Sequence, residues 1–221
     1  MKESPSNSPL AASRPRGREK GAFPLADAVR KGEPEGDSSG ATCHRRLFFA
    51  LWPDVATRTA IGRATRQALR HAGGRPVAPE NYHLTLAFLG EQPAALLPAI
   101  REAAAAFVPP RGELRLDRLG HFERARVLWL GSARTPPALR RTARALWEAL
   151  AALDIARERH AFAAHLTLAR KVDRLPAVPI RAVSWRYDGF ALVESLTGAQ
   201  ESRYRVIARW PQTPGGTKAV E

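Results

Sequence analysis

The sequence contains a single cysteine, Cys43, and this scarcity excludes an internal disulfide and a cysteine-based zinc cluster. It also has no run of about 18 apolar residues, so a membrane-spanning helix is not expected. The first residues, MKESPSNSPL, lack the apolar stretch of a secretory signal peptide. Together these absences predict a soluble cytoplasmic protein that does not bind membranes, and we expect it to be a monomer.

Acidic side chains are also scarce relative to basic ones. Asp and Glu number 21 against 35 Lys and Arg, which gives a formal net charge of +14. A positive charge of this size attracts polyanions such as nucleic acids. It is equally typical of a chain whose many arginines merely solvate its helices. The charge therefore permits a nucleic-acid substrate without establishing one.

The chain divides into three segments by composition. Residues 1–44 are rich in Ser, Pro, Gly and mixed charge with little hydrophobic periodicity, which predicts a disordered N-terminal tail. Residues 45–211 alternate between strand and helix patterns and are predicted to form the folded domain. Residues 212–221 are predicted to be a loose C-terminus.

The tetrapeptide His-Leu-Thr-Leu occurs twice, beginning at His83 and at His165. Chance explains the repetition poorly in a chain with only six histidines. Each copy lies at the end of an interval whose pattern predicts a strand, a helix and a second strand. The first interval begins near Leu47 and the second near Val127. This repetition predicts a structural duplication with pseudo-twofold symmetry, which would bring the two tetrapeptides to matching positions across a central groove.

Each tetrapeptide is predicted to lie on a strand, where successive side chains point to opposite faces. The histidine and the threonine of a copy then share one face, and the two leucines turn into the core. Two such strands present two imidazoles and two hydroxyls to one groove. These side chains are His83, Thr85, His165 and Thr167.

Two imidazoles and two hydroxyls suit the hydrolysis of a phosphodiester. Hydrolysis needs a base for the nucleophile and an acid for the departing oxygen, and histidine serves in either role near neutral pH. Hydroxyls can donate to the non-bridging oxygens, where charge grows in the transition state. No metal or other cofactor is expected, because no acidic cluster accompanies the histidines and His-x-Thr is not a zinc spacing. The alternative is a pair of half-buried strand histidines bonded to backbone carbonyls or water.

The paired His-x-Thr-x motifs resemble those of the two-histidine (2H) phosphoesterase superfamily. The segments RLFFALWP, PENYHLTLAFLGE, RVLWLG, FAAHLTLAR and FALVESLTGAQESRYRVIARWP are similar to the RNA 2′,3′-cyclic phosphodiesterase family, formerly called 2′-5′ RNA ligases. The resemblance covers Arg46 to Pro211. It implies an α+β fold of two pseudo-symmetric lobes, each an antiparallel β-sheet flanked by helices, around a central cleft.

The same resemblance implies an enzyme that opens a 2′,3′-cyclic phosphate at an RNA 3′ end, such as that of a tRNA fragment, to leave a 2′-phosphate. By motif order, His83 would protonate the leaving 3′-oxygen and His165 would activate the attacking water. Thr85 and Thr167 would hold the phosphate, and Arg170 is a further candidate for phosphate contact. Strict alternation would put Arg170 on the face opposite His165, so this contact requires a bulge or a strand end.

Aromatic residues near the motifs are divided between site and core. His121 and Phe122, which precede RVLWLG, are candidates to flank the base or sugar of a nucleotide. Trp129, Tyr204 and Trp210 are expected to lie in the core rather than to stack on bases.

Three other functions stay open at this point. Ligation of RNA ends through 2′-5′ bonds uses the same two histidines in reverse. A small cyclic nucleotide or an ADP-ribose cyclic phosphate would suit the same chemistry as RNA. A non-catalytic RNA-binding module with a basic groove would not need both imidazoles.

Overall fold

The computed structural model describes three stretches of the chain: residues 43–157, 161–197 and 202–211. Most of the predicted N-terminal tail, residues 1–42, and the predicted loose C-terminus, residues 212–221, lie outside the described residues. The first strand begins at His44, the last residue of the segment predicted as tail.

The described residues form strands and helices in alternation. The strands are β1 (His44–Leu51), β2 (Arg75–Pro76), β3 (Leu84–Pro93), β4 (Gly112–Leu116), β5 (Arg118–Phe122), β6 (Val127–Gly131), β7 (His165–Arg170), β8 (Val183–Tyr187), β9 (Phe190–Thr197) and β10 (Ser202–Trp210). The α-helices are α1 (Val55–Ala72), α2 (Leu97–Ala105) and α3 (Pro137–Ala151). Short 3₁₀ turns precede β3 and α2, at Pro79–Asn81 and Ala94–Leu96.

One antiparallel sheet organises the molecule. Its strands follow the order β10-β9-β1-β3-β7-β6-β5, with β2 added beside β7, while β4 and β8 form a separate two-stranded sheet. The strands from β10 to β3 form one half and those from β7 to β5 form the other. The two halves meet where Leu84 of β3 pairs with Leu166 of β7. The predicted α+β class with antiparallel sheets is confirmed.

The helices pack against one face of this sheet, and the opposite face of the first half carries a separate small cluster of buried apolar residues. Helix α1 begins at Asp54, whose side chain accepts a hydrogen bond of 2.7 Å from the backbone N–H of Thr57. Its buried residues recur at helical spacing, from Ile61 through Ala68 to Ala72, so one stripe of the helix packs into the core. Among the helices of the described residues, none combines the length and apolar character that crossing a bilayer requires.

Both copies of the repeated sequence contain a β-bulge at the same place. Leu86 in β3 and Leu168 in β7 are each an extra residue relative to the neighbouring strand. The identity of the two copies also extends one residue further than the tetrapeptide, to Ala87 and Ala169. The predicted duplication therefore includes an irregularity of the backbone. A bulge reverses the alternation of side chains, so Ala87 and Ala169 stay on the core side and the next residue of each strand returns to the groove face.

A buried carboxylate ties three strands of the first half together. Glu194 of β9 accepts hydrogen bonds of 2.7 Å from Arg45 of β1 and of 2.6 Å from Arg205 of β10. Its side chain is 8% exposed, so the charge depends on these partners rather than on water. The hydrogen bond from Arg45, reinforced by Arg205, lowers the pKa of Glu194 to about 2.

We predict that Glu194→Gln destabilises the protein by about 1–2 kcal/mol at pH 7. The expected loss is below that of a fully buried pair because Arg205 is 59% exposed and can turn to water. Since the folded-state pKa lies below the ordinary value of 4.5, the stabilisation is present above pH 4.5 and disappears as the pH falls towards 2. Urea unfolding of both proteins between pH 2 and 7 measures the difference.

The matched control for this prediction is Glu148→Gln, which removes the exposed partner of Arg144 on α3. That change should cost about 0.5 kcal/mol or less. Equal effects of the two substitutions, or a Glu194→Gln difference that does not change with pH, would contradict the assignment.

Candidate active site

The junction of the two halves brings the repeated motifs together. Leu84 and Leu166 are completely buried in the core beneath the sheet, which turns their neighbours in sequence to the groove face. Leu84 and Leu166 are paired in antiparallel strands. One residue to either side of this pair, the histidine of each copy therefore lies opposite the threonine of the other. The four polar side chains are half-buried, and they are His83, Thr85, His165 and Thr167.

Each histidine is oriented by a backbone carbonyl two residues before it. Nδ1 of His83 lies 2.7 Å from the carbonyl oxygen of Asn81, and Nδ1 of His165 lies 2.8 Å from that of Ala163. A carbonyl oxygen only accepts, so Nδ1 carries the proton in the neutral ring and the lone pair lies on Nε2. Both rings thus have the same tautomer and can gain or lose a proton at Nε2.

The ring of His83 is surrounded by aromatic side chains. Trp52 stacks on it at 5.5 Å with the two planes 9° apart, Phe48 lies 4.8 Å away, and Tyr204 meets it edge-on at 5.0 Å. These contacts remove water from the imidazole and disfavour its charged form. Burial consequently lowers the pKa of His83 to about 4.

Positive charge at the same site acts in the same direction. After burial, the charges of His165 and Arg170 also lower the pKa of His83, while its bond to the Asn81 carbonyl opposes the shift. Burial lowers the pKa of His165 as well, against its bond to the carbonyl of Ala163. The two rings therefore share one electrostatic environment, and both are largely neutral in the free protein at pH 7. A bound phosphate would favour the charged form of either ring.

Arg170 reaches the groove face because of the bulge at Leu168. Trp129 of β6 pairs with Thr167, and Val127 of β6 pairs with Arg170. Val127 and Trp129 are two positions apart on their strand, so they lie on the same face of the sheet. Arg170 therefore lies on the same side of the sheet as the β7 threonine. The bulge that phosphate contact by Arg170 requires is present, and the electrostatic effect of Arg170 on His83 is consistent with this position.

The second histidine has a different aromatic neighbourhood. Phe122 lies edge-on to His165 at 5.2 Å, as expected for a residue that flanks the site. His121 instead occupies the helix-bearing side of β5, where its Nε2 lies 2.9 Å from the carbonyl oxygen of Val172. The structure therefore brings Phe122 to the groove and leaves His121 outside it.

The expectation that Trp129 lies in the core was wrong, because it is half-buried on the groove face with its ring 6.3 Å from that of His165. Tyr204 is half-buried and packs against a second hydrophobic cluster formed by Phe48, Ala50, Ala191 and Val193, with its ring 5.0 Å from that of His83. Trp210 is 4% exposed and lies in the main core as expected. The error for Trp129 arose because β6 is apolar on both faces, so alternation alone does not identify the core side.

Phe48 and Trp52, two of the three aromatic residues around His83, were not predicted from the sequence. A pattern that could have found them is present in RLFFALW, where Phe48, Ala50 and Trp52 recur at every second position. An apolar residue on every position of a strand indicates that both faces are covered. In this strand, one of the two faces borders the active-site groove.

Within the described ranges, no three His, Cys, Asp or Glu side chains come together as a group that could hold a metal ion. The groups available at the site are therefore two imidazoles, two hydroxyls and the guanidinium of Arg170. Such a set can transfer protons and bind an anion.

Comparison with known proteins agrees with this geometry. Residues 53–129 match the family described as "LigT like Phosphoesterase". The chain is 33% identical over 171 residues to the RNA 2′,3′-cyclic phosphodiesterase of Escherichia coli strain K12, covering 76% of this chain and 97% of that protein. It is 33% identical over 177 residues to the RNA 2′,3′-cyclic phosphodiesterase of Thermus thermophilus, covering 75% and 89%.

A solved structure is similar over the same region. The crystal structure of E. coli LigT complexed with 3′-AMP superposes with a TM-score of 0.68 at 33% identity. The superposition covers 77% of this chain and 99% of that chain, so it includes both halves of the sheet and both motifs.

We predict that His83 titrates near pH 4 in the free protein and that His165 titrates below its ordinary value of 6.5. Burial disfavours the imidazolium in both cases, so each ring should accept a proton only at a more acidic pH than in an unfolded chain. NMR titration of the ring nitrogens measures both pKa values and the tautomer. Inorganic phosphate should raise the pKa of both rings. A pKa of His83 at or above 6.5 without phosphate would contradict the described environment.

Proposed function

The chain belongs to the LigT-like phosphoesterase family and is a phosphodiesterase, and we propose that it hydrolyses RNA 2′,3′-cyclic phosphate ends to 2′-phosphomonoesters without a metal ion. The observation that carries this proposal is the antiparallel register of the two motifs, which sets two imidazoles and two hydroxyls at one point of the groove. The activity for which the two relatives are named supplies the substrate class. Membership of an enzyme family displaces the alternative of a non-catalytic RNA-binding module.

In the proposed reaction, His165 accepts a proton from water as the water oxygen attacks phosphorus. The bond between phosphorus and the 3′-oxygen breaks, and His83 donates a proton to that oxygen. The 2′-oxygen keeps its bond to phosphorus, so the product is a 2′-phosphate with a free 3′-hydroxyl. His165 returns its proton to solvent and His83 regains one, so the enzyme is restored.

The assignment of His83 as acid and His165 as base rests on motif order in the family. The acid must be protonated when the substrate is bound, whereas burial keeps His83 neutral in the free protein. Binding of the negatively charged phosphodiester would raise the pKa of His83, because an anion beside the ring favours its protonated form. Substrate binding and protonation of His83 are therefore coupled in this mechanism.

The remaining polar groups bind the phosphate. Thr85 and Thr167 lie on the histidine face and would donate their hydroxyls to the non-bridging oxygens. Arg170 lies on this face as a result of the bulge and would contribute a permanent positive charge. The net charge of the chain, +14, would raise the local concentration of RNA around the groove.

We predict that His83→Ala and His165→Ala each lower kcat by about 10²- to 10⁴-fold, because each removes a positioned proton-transfer group. The assay uses an oligonucleotide with a 2′,3′-cyclic phosphate in EDTA, with identification of the phosphomonoester product. His71→Ala is the matched control, since His71 lies exposed on α1 and its ring bonds the carbonyl of Gln67 in the same helix. Loss of activity in EDTA, a 3′-phosphate product, or wild-type rates in both groove variants would each contradict the proposal.

We also predict that kcat/KM has a bell-shaped pH profile with its optimum below pH 6.5. The profile of kcat/KM reports the free enzyme, in which both histidine pKa values are lowered and one ring must be protonated. Above the higher of the two pKa values, kcat/KM should fall by about tenfold per pH unit. The kcat profile should lie at higher pH because the bound anion raises both values. An optimum of kcat/KM above pH 7.5 would be inconsistent with this account.

A further inference from the structure

The groove contains a flat aromatic surface that the proposed chemistry does not use. We propose that Trp129 is the platform on which the base of the terminal nucleoside stacks, and that Arg118 binds the next phosphate of the RNA. This proposal rests on the proposed function, since it names the part of an RNA end that the second half of the groove recognises. It does not depend on which histidine is the acid.

The indole of Trp129 lies flat against the sheet because two glycines make room for it. Gly120 on β5 pairs with Trp129, and a Cβ atom there would overlap the indole ring. A Cβ atom on Gly131, two residues along β6, would lie 2.8 Å from the same ring. With one face of the indole on the backbone, the ring is half-buried on the groove side, where it also contacts Phe122 at 5.4 Å between ring centroids.

The two copies of the duplicated unit differ at the position that Trp129 occupies. Trp129 is the β6 partner of Thr167, and the matching β1 partner of Thr85 is Ala50. The first half has its tryptophan two residues later, at Trp52, where it stacks on His83 instead. The two halves therefore supply similar catalytic groups, but only the second has a broad ring beside its threonine. An RNA end is likewise asymmetric, with one base attached to the ribose that carries the cyclic phosphate.

The hydrogen-bonding capacity of Trp129 does not account for its presence. Its Nε1–H is buried and has no acceptor among the described residues, and an apolar residue would fill the space without that penalty. The property that distinguishes tryptophan here is its large planar ring, which stacks on any nucleobase. The ring lies 6.3 Å from that of His165, so a base stacked on it would lie beside the reaction centre.

Arg118 extends this surface away from the reaction centre. Its guanidinium lies 6.0 Å over the ring of Trp129, and among the described residues no carboxylate forms an ion pair with it. The neighbouring Asp117 is instead engaged by Arg115 and by the backbone N–H of Ala133. Arg118 also borders an open cavity of about 510 Å³ between β5 and residues 175–180. A nucleotide on the 5′ side of the terminal one has room there, and its phosphate would meet the guanidinium.

The first test measures KM and kcat on adenosine and uridine 2′,3′-cyclic phosphates. Trp129→Leu should raise KM by about 5- to 50-fold, more for adenosine than for uridine, because stacking depends on the ring of the base. Trp129→Phe keeps an aromatic face and should raise KM by only about threefold. The kcat values should change little, since neither imidazole is altered. Thermal unfolding of each variant establishes that the protein is folded.

The second test compares a trinucleotide with a mononucleoside, each ending in a 2′,3′-cyclic phosphate. Arg118→Gln should raise KM for the trinucleotide and reduce its dependence on salt, by about 0.7 in the slope of log KM against log salt concentration. The mononucleoside has no second phosphate, so its KM should be affected far less. Arg46→Gln is the matched control, because Arg46 also lies over an aromatic ring, 5.1 Å from Phe88, but in the first half.

The inference is overturned if Trp129→Leu leaves KM unchanged for both nucleosides. It is also overturned if Arg46→Gln, rather than Arg118→Gln, changes the KM and salt dependence of the trinucleotide. These outcomes differ from failure of the proposed function, in which the unaltered protein itself opens no cyclic phosphate.

Discussion

The active-site arrangement depends on one backbone pairing, the antiparallel contact of Leu84 with Leu166 where the halves of the sheet meet. Strand geometry then leaves little freedom to the groups on either side. Because the leucines are buried under the sheet, the adjacent histidines must face the groove, and the antiparallel register sets each histidine opposite the threonine of the other copy. The bulge at the same place in both copies returns Arg170 to this face. A slip of one residue at this junction would send the histidine and the threonine of the slipped strand into the core and separate them from the other pair.

The duplicated scaffold supplies two similar histidines, and the surrounding side chains make them different. Both rings donate from Nδ1 to a carbonyl two residues earlier, so their tautomers are the same. Trp52 and Tyr204 enclose His83, while Phe122 approaches His165 only by its edge. Phosphodiester hydrolysis needs an acid and a base rather than two equal groups. Burial lowers the pKa of both rings, so the bound phosphate must favour the imidazolium that the acid needs.

The sequence was sufficient to predict the strand alternation, the duplication and the four polar residues, because a repeated His-x-Thr pattern has one face on any strand. It also predicted that Arg170 could reach the phosphate only through a bulge or a strand end, although not which of the two applies. It failed for Trp129, since β6 is apolar on both faces and does not reveal which face is the core. The low pKa of His83 was equally out of reach, because it depends on Tyr204, which is distant in sequence and adjacent only after folding. The more a property depends on contacts between distant strands, the less the local pattern determines it.

The central claim is that the two imidazoles lie on opposite sides of one phosphorus atom. The most direct measurement is a crystal structure of the protein with uridine and vanadate, whose five-coordinate complex has the geometry of the transition state. The account predicts that Nε2 of His83 and Nε2 of His165 lie within about 2.6–3.2 Å of the two opposite apical oxygens, with the threonine hydroxyls directed to equatorial oxygens. A complex in which both rings contact the same oxygen, or in which either ring is turned away from the vanadate, would contradict it.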